Sequence, residues 1–191
     1  MDIIATGLCI GKNDAHDYQT RTGQAGSIQG TTVKNLDVET VASNPLLATD
    51  RKWAIRFNAG GTATIVLGMK DFGRGWFSSY FAGLVTARLG IPFQKVRIYY
   101  SATLPAVVQT PRASPTMLRR NQIGPVANAV ADVIEGLCNQ VIERGRLAFA
   151  AMAGVDAIDV GFDQAIGRFF VMNIDRSRNI LEIAAASRSA S

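Results

Sequence analysis

Between Thr62 and Tyr100 the chain follows a pattern that few folds accommodate. Thr62 to Leu67 reads as a strand, and the stretch Gly68-Met69-Lys70-Asp71-Phe72-Gly73-Arg74-Gly75 breaks it. Phe77, Phe81, Leu84 and Val85, with Leu89 further on, then recur at helical spacing. Gly90 closes that run just before Pro92, and Lys95 to Tyr100 reads as a second strand. Strand, glycine loop, helix, strand is a crossover unit, in which the helix lies against a sheet that holds both strands. The expected fold class is therefore α+β (mixed α/β), with a mixed sheet and helices packed on one face.

The same glycine loop is the first place to look for a ligand. A strand that stops at glycines and restarts as a helix leaves backbone N–H groups aimed at one spot, where a phosphate can sit. Glycines also serve turns that bind nothing, so the loop's neighbours must decide.

Upstream, Trp53 to Phe57 and Thr62 to Leu67 flank Asn58-Ala59-Gly60-Gly61, the chemistry of a hairpin turn. Residues 1–48 carry scattered Gly, Thr, Asn and Asp with short apolar pieces, and read as an extended arm that wraps a partner. Downstream, Ser101 to Asn121 is a polar connection interrupted by Pro105, Pro111 and Pro115. Gly124-Pro125 then opens a long helix through about Met152, with Val126, Val130, Val133, Ile134, Leu137, Val141 and Ile142 as its core face. Strands are expected at Ala157 to Val160 and Phe169 to Met172. A last helix is expected from about Asn179, capped by Ser177 or Asp175, with Leu181, Ile183 and Ala184 turned inward. The lobe so defined spans residues 49–186, and 187–191 reads as a flexible tail.

With 48% hydrophobic and 18% charged residues, 191 residues suffice for one core. The longest apolar runs fall well short of a membrane span, and Met1-Asp2-Ile3-Ile4 lacks the basic start of a signal peptide, so the expectation is a soluble, cytoplasmic protein without membrane contact. Cys9, Cys138 and the single His16 form no close set. A self-contained iron–sulfur cluster or a four-ligand Cys/His zinc site is excluded on that count, and two reduced, largely buried thiols are expected. The net charge of +5 is spread out rather than interleaved with aromatics, which argues against nucleic acid and suits an acidic partner or a phosphate-bearing cofactor.

Four marks, in order, resemble the molybdopterin-binding subunit of the xanthine dehydrogenase/aldehyde oxidase family, the molybdenum hydroxylases. The loop Gly68 to Gly75 looks like the family's glycine–glutamine–glycine pterin loop. Ala87-Arg88-Leu89-Gly90-Ile91-Pro92 with Val96-Arg97-Ile98 resembles its helix-to-strand joint. Ser114 to Gly124, leading into Ala127, Val130 and Ala131, resembles its second cofactor loop and the helix behind it. Ala153-Gly154-Val155-Asp156, Gly167-Arg168-Phe169 and Leu181-Glu182-Ile183-Ala184 resemble the module that follows.

The resemblance implies a C-terminal-half fragment of that subunit, a small subunit of a split gene. It implies a molybdenum–molybdopterin cofactor, often in a dinucleotide form, shared with one or more larger molybdopterin-binding subunits. It also implies an FAD subunit and an iron–sulfur subunit carrying [2Fe–2S] clusters. The cofactor-binding positions carried over are Phe72, Gly73, Arg74 and Gly75 in the first loop and Thr116, Met117, Arg119 and Arg120 in the second. The chain departs from the family where Arg74 replaces the usual glutamine, and where Met117, Arg119 and Arg120 replace small hydroxyl and alanine residues. Arginine offers a charged planar fork suited to phosphate rather than a neutral partner for a pterin.

The family's catalytic glutamate lies beyond the matched segments and no Gly-Glu-Pro-type motif occurs, so neither catalytic nor metal-ligating residues are expected here. Two roles stay open: a wall of the cofactor cradle in an oxidoreductase complex, or a structural subunit with a degenerate pocket that completes a larger partner. Asp71 reads as a turn cap or an ion-pair partner, and Phe77, Tyr80 and Phe81 read as core. Of the aromatics on that helix, Trp76 is the one expected near a pocket.

Overall fold

The computed structural model describes residues 35–70, 75–102, 108–109 and 124–189. The expected hairpin forms from β2 (Lys52–Asn58) and β3 (Thr62–Leu67), antiparallel and in register from Ala54↔Val66 to Asn58↔Thr62. Its turn works because Gly61 takes φ +69° while its N–H returns to the Asn58 carbonyl at 3.0 Å, a type I turn closed by a left-handed glycine.

Helix α1 (Gly75–Leu89) then carries the chain over the sheet to β4 (Val96–Tyr100), which pairs with β3 in parallel, from Ala63↔Val96 to Leu67↔Tyr100. The crossover expected from the sequence is thus present. Preceding the hairpin, β1 (Val38–Val41) pairs antiparallel with β2, and β5 (Val108–Gln109) pairs antiparallel with β4. The mixed sheet has the order β1-β2-β3-β4-β5.

The sequence-derived boundary near residue 48 cuts off part of this sheet. Leu36, Val38, Ala42 and Leu47 are buried in the core, and the Asp37 carboxylate accepts the Phe57 N–H at 2.9 Å. Four apolar side chains spaced among polar ones gave too short a pattern to stand as an element, yet they are enough to pin an edge strand. Residues 1–34 of the expected arm lie outside the described residues.

Alternation sorts the sheet into two faces. Trp53, Ile55 and Phe57, Ala63, Ile65 and Leu67, and Val96, Ile98 and Tyr100 are buried beneath the helices. From α1, Phe81, Val85 and Leu89 join them, with Phe77 stacked on Phe81 at a centroid distance of 6.0 Å and Tyr80 edge-on to Phe81 at 5.5 Å. Burial on α1 is wider than the expected stripe, because Ser78, Ser79, Tyr80, Phe81 and Ala82 are all buried in succession. This helix is enclosed between the sheet and a second helix, which leaves it almost no solvent face.

That second helix, α2 (Pro125–Ala153), starts with Pro at its first position and ends on Gly154 in the left-handed conformation, φ +70°. Val130, Ile134, Leu137 and Val141 are buried as expected. Val133 and Ile142 are half-buried, and Val126 is 37% exposed although Ala127 beside it is buried. The far end of α2 packs on a second sheet, of order β6-β7-β8, made of β6 (Val160–Asp163), β7 (Arg168–Val171) and β8 (Ser177–Asn179).

Three local expectations change in this region. Residues Ala157–Asp159 form a 3-10 turn, with Asp159 N–H returning to the Asp156 carbonyl at 3.0 Å, so the strand begins only at Val160. The last helix, α3 (Ile180–Ser189), is capped by Asn179 rather than Ser177 or Asp175. The Glu182 N–H donates to Asn179 Oδ1 and the Asn179 N–H to Glu182 Oε2, both at 2.9 Å, a reciprocal capping box. Helix α3 also runs past the expected tail boundary: Ser187 is buried, and Arg188 donates to the Phe57 and Asn58 carbonyls.

Two glycines hold the sheets together. Gly90 (φ +62°), after α1, and Gly167 (φ +61°), in the β6–β7 turn, meet backbone to backbone, so a Cβ on either would lie closer than 3.0 Å to main-chain atoms of the other segment.

Candidate functional site

Because β3 and β4 run parallel, both end at the same edge of the sheet, where α1 begins. In open α/β sheets this carboxyl edge is where ligands collect. The edge is tied by Ser101, whose N–H and Oγ both donate to the Leu67 carbonyl, at 3.0 and 3.1 Å. Beneath it, Ser78 Oγ in the first turns of α1 and Tyr100 Oη at the end of β4 are hydrogen-bonded at 3.0 Å. Both residues are almost fully buried, so the bond fixes the helix start against the strand end.

A cavity of about 340 Å³ opens at this edge, lined by Leu46, Leu47, Ala48, Arg51, Gly68, Met69, Lys70, Ala102 and Val126. Gly68, Met69 and Lys70 lead into the first sequence-identified loop. Ala102 enters the second connection and Val126 follows it. The flanks of both loops therefore line one cavity, although the loops are far apart in the chain. Gly68 has a packing reason to be glycine, since a Cβ there would fall 2.7 Å from Trp53 Nε1. That indole nitrogen is buried and has no hydrogen-bond partner among the described residues.

The electrostatics favour an anion. Arg51 and Lys70 line the cavity, and no carboxylate stands among the nine lining residues. Neither α1 nor α2 has an acidic residue in its first turn, and the first turn of α2 has no side-chain cap on its N–H groups. The positive end of each helix dipole is left uncompensated by its own sequence.

Of the eight sequence-derived cofactor positions, Gly75 is the first residue of α1. Phe72, Gly73, Arg74, Thr116, Met117, Arg119 and Arg120 lie outside the described residues, as do Asp71, His16 and Cys9. Trp76 lies in α1, while Tyr80 and Phe81 belong to the core as expected. Arg51, the Leu46–Ala48 segment and the Ser78–Tyr100 pair escaped the sequence reading. A tyrosine ending a strand, with a serine in the first turns of the preceding helix, was the available signal. Among the described residues no group of three or more His, Cys, Asp or Glu side chains is arranged to hold a metal. No described helix is long and apolar enough to cross a membrane. Cys138 is a free, buried thiol.

No protein-family model matches the chain, and no curated protein does. Solved structures are similar in part, two of them CO dehydrogenases. One is a Cu,Mo-CO dehydrogenase in its carbon monoxide reduced state, 23% identical with a TM-score of 0.45, over 69% of this chain and 15% of that one. The other is a reconstituted CO dehydrogenase from Oligotropha carboxidovorans, 22% identical with a TM-score of 0.45, again over 69% of this chain and 15% of that one. The match thus spans under a sixth of the length of those chains.

Proposed function

We propose that this chain is a lobe of a multi-subunit, molybdenum-dependent oxidoreductase of the cytoplasm, and that it supplies one wall of the cradle for a molybdopterin cofactor. The observation that carries this reading is the convergence at one cavity of the flanks of both loops that resemble the family's cofactor loops. The residues present fit a phosphate-bearing organic group: two cations, the uncompensated start of α2 and a largely apolar lining. When bound, the group supplies hydroxylation of a carbon centre with water-derived oxygen, or a related hydration or dehydrogenation.

This chain's own part is positional. Arg51 and Lys70 neutralise phosphate charge, and the first-turn N–H groups of α2, beside Val126, add their dipole. The apolar side chains of Leu46, Leu47, Met69 and Val126 keep water from the face they cover. The base that moves protons, the iron–sulfur clusters and the FAD would reside on partner subunits.

The preponderance of apolar residues in that lining favours a second reading, in which the lobe completes a larger partner's fold and touches no cofactor. Molybdenum content separates the two. The complex, purified with its partner subunits, is expected to lose molybdenum when this chain is omitted and to retain it poorly with Arg51→Glu/Lys70→Glu. Full molybdenum loading in both preparations would leave only the structural reading.

A further inference from the structure

The helices cover one face of the five-stranded sheet, and alternation places a different chemistry on the other. Lys52, Arg56 and Asn58 of β2, Thr64 and Val66 of β3, and Tyr99 of β4 point outward. The register aligns Arg56 with Thr64 and Arg97 in one cross-strand row, and Ala54 with Val66 and Tyr99 in the next. Large side chains at the margins and small ones between them leave a groove of about 530 Å³. Its wall on one side is Arg51, Lys52 and Arg56, and on the other Tyr99 and Ser101.

The charge on this face is unbalanced. Glu39 is the one carboxylate that reaches the cations among the described residues, at 2.7 Å from Lys52 and 3.6 Å from Arg56. Arg51 has no acidic partner among them. Arg97 turns aside to its own backbone, its Nη1 donating to the Gln94 carbonyl at 2.6 Å, and leaves the basic wall on the β2 side.

We propose that this groove docks an extended acidic segment of a partner polypeptide. Three cations facing one shared carboxylate call for carboxylates from outside, and arginine pairs with them in a fork. The opposite wall offers the Tyr99 hydroxyl to the segment's backbone, while Ser101 Oγ, which donates to the Leu67 carbonyl, can only accept. A single aromatic at the rim, with threonine and valine between, gives no stacking platform of the sort that holds single-stranded nucleic acid. The groove lies across the sheet from the helix-covered face; Arg51 lines both it and the cavity at the sheet edge, so Lys52 and Arg56, which line the groove alone, carry its test.

Fluorescence anisotropy of a fluorescein-labelled peptide alternating glutamate and serine, titrated with the full chain at low salt, reads the interaction. Lys52→Glu/Arg56→Glu is expected to weaken binding at least about tenfold. Lys95→Glu/Arg178→Glu, with the same change in net charge at exposed positions elsewhere, is expected to change it less than about twofold. The milder Lys52→Gln/Arg56→Gln pair repeats the comparison with less perturbation of folding. Equal weakening by both charge-reversed pairs, no binding by the unmodified chain, or tighter binding of a single-stranded oligonucleotide of equal charge would each overturn the proposal.

Discussion

Cys138 shows how one side chain's surroundings set its chemistry. It sits fully buried on α2, and burial pushes its thiol from 9.0 up to about 12, with Arg88 opposing the rise and Glu135 adding to it. A thiol held neutral in the native state is a poor nucleophile. In a Cys9→Ser variant, the remaining thiol is expected to resist a disulfide reagent at pH 8 in the native protein and to react once urea unfolds it. The pH dependence has a definite sign. Below pH 9 the thiol is neutral whether folded or not; between pH 9 and about 12 only the unfolded chain ionises, so stability falls as pH rises, by about 1.4 kcal/mol per unit. Urea titrations at pH 8 and 10 should show this excess loss, and Cys138→Ala should remove it. The buried thiol was legible in the sequence because a lone cysteine on a helix's apolar face behaves as a small hydrophobe. The Ser78–Tyr100 bond was not, because each partner looks unremarkable until the crossover brings them together.

Among the elements, those that announce themselves with many side chains were readable and the short ones were not. The β2–β3 hairpin, α1, β4 and α2 each carry a turn signal or a sustained period. Strands β1 and β8, four and three residues long, take their stability from the neighbours they pair with, and no local pattern encodes that. Glycines inside α2 make the same point in energetic form. Gly136 is exposed with open space around it, so Gly136→Ala should raise stability by up to about 1 kcal/mol, the usual gain in a helix interior. Gly145 is the opposite case. A Cβ there would lie closer than 3.0 Å to the Phe169 ring of β7, which is fully buried, so Gly145→Ala should cost about 1–3 kcal/mol despite the same propensity gain. Chemical denaturation of both variants tests this; a stabilised Gly145→Ala protein would mean that Phe169 yields at little cost. Sequence reading treats the two glycines alike, since the ring that distinguishes them arrives from 24 positions later in the chain.

At the scale of the whole molecule, the question is what joins the two sheets. Helix α2 packs on both, and Arg188 near the end of α3 donates to the Phe57 and Asn58 carbonyls at the β2–β3 turn. The tightest join is the backbone contact of Gly90 with Gly167. Gly90 follows the end of α1 opposite the sheet edge at which the candidate cavity opens, so the contact anchors the far end of that helix. Both glycines stood out in the sequence as the marks of two separate motifs, but that the motifs meet is a property of the fold alone. Either substitution by alanine pays twice: for the left-handed backbone, about 1–2 kcal/mol, and for a Cβ driven into main-chain atoms that cannot rotate away, about 1–3 kcal/mol more. Gly61 separates the two contributions, because it shares the left-handed φ at +69° but has nothing within 4 Å of an added Cβ. Gly61→Ala should therefore cost only the backbone part, while Gly90→Ala and Gly167→Ala cost roughly 2–5 kcal/mol, as read by urea unfolding. The double variant should cost less than the sum of the singles, because the first displaced backbone has already opened the contact that the second would lose. Additive costs would show that the two glycines act separately and that α2 and the Arg188 bonds hold the sheets in place.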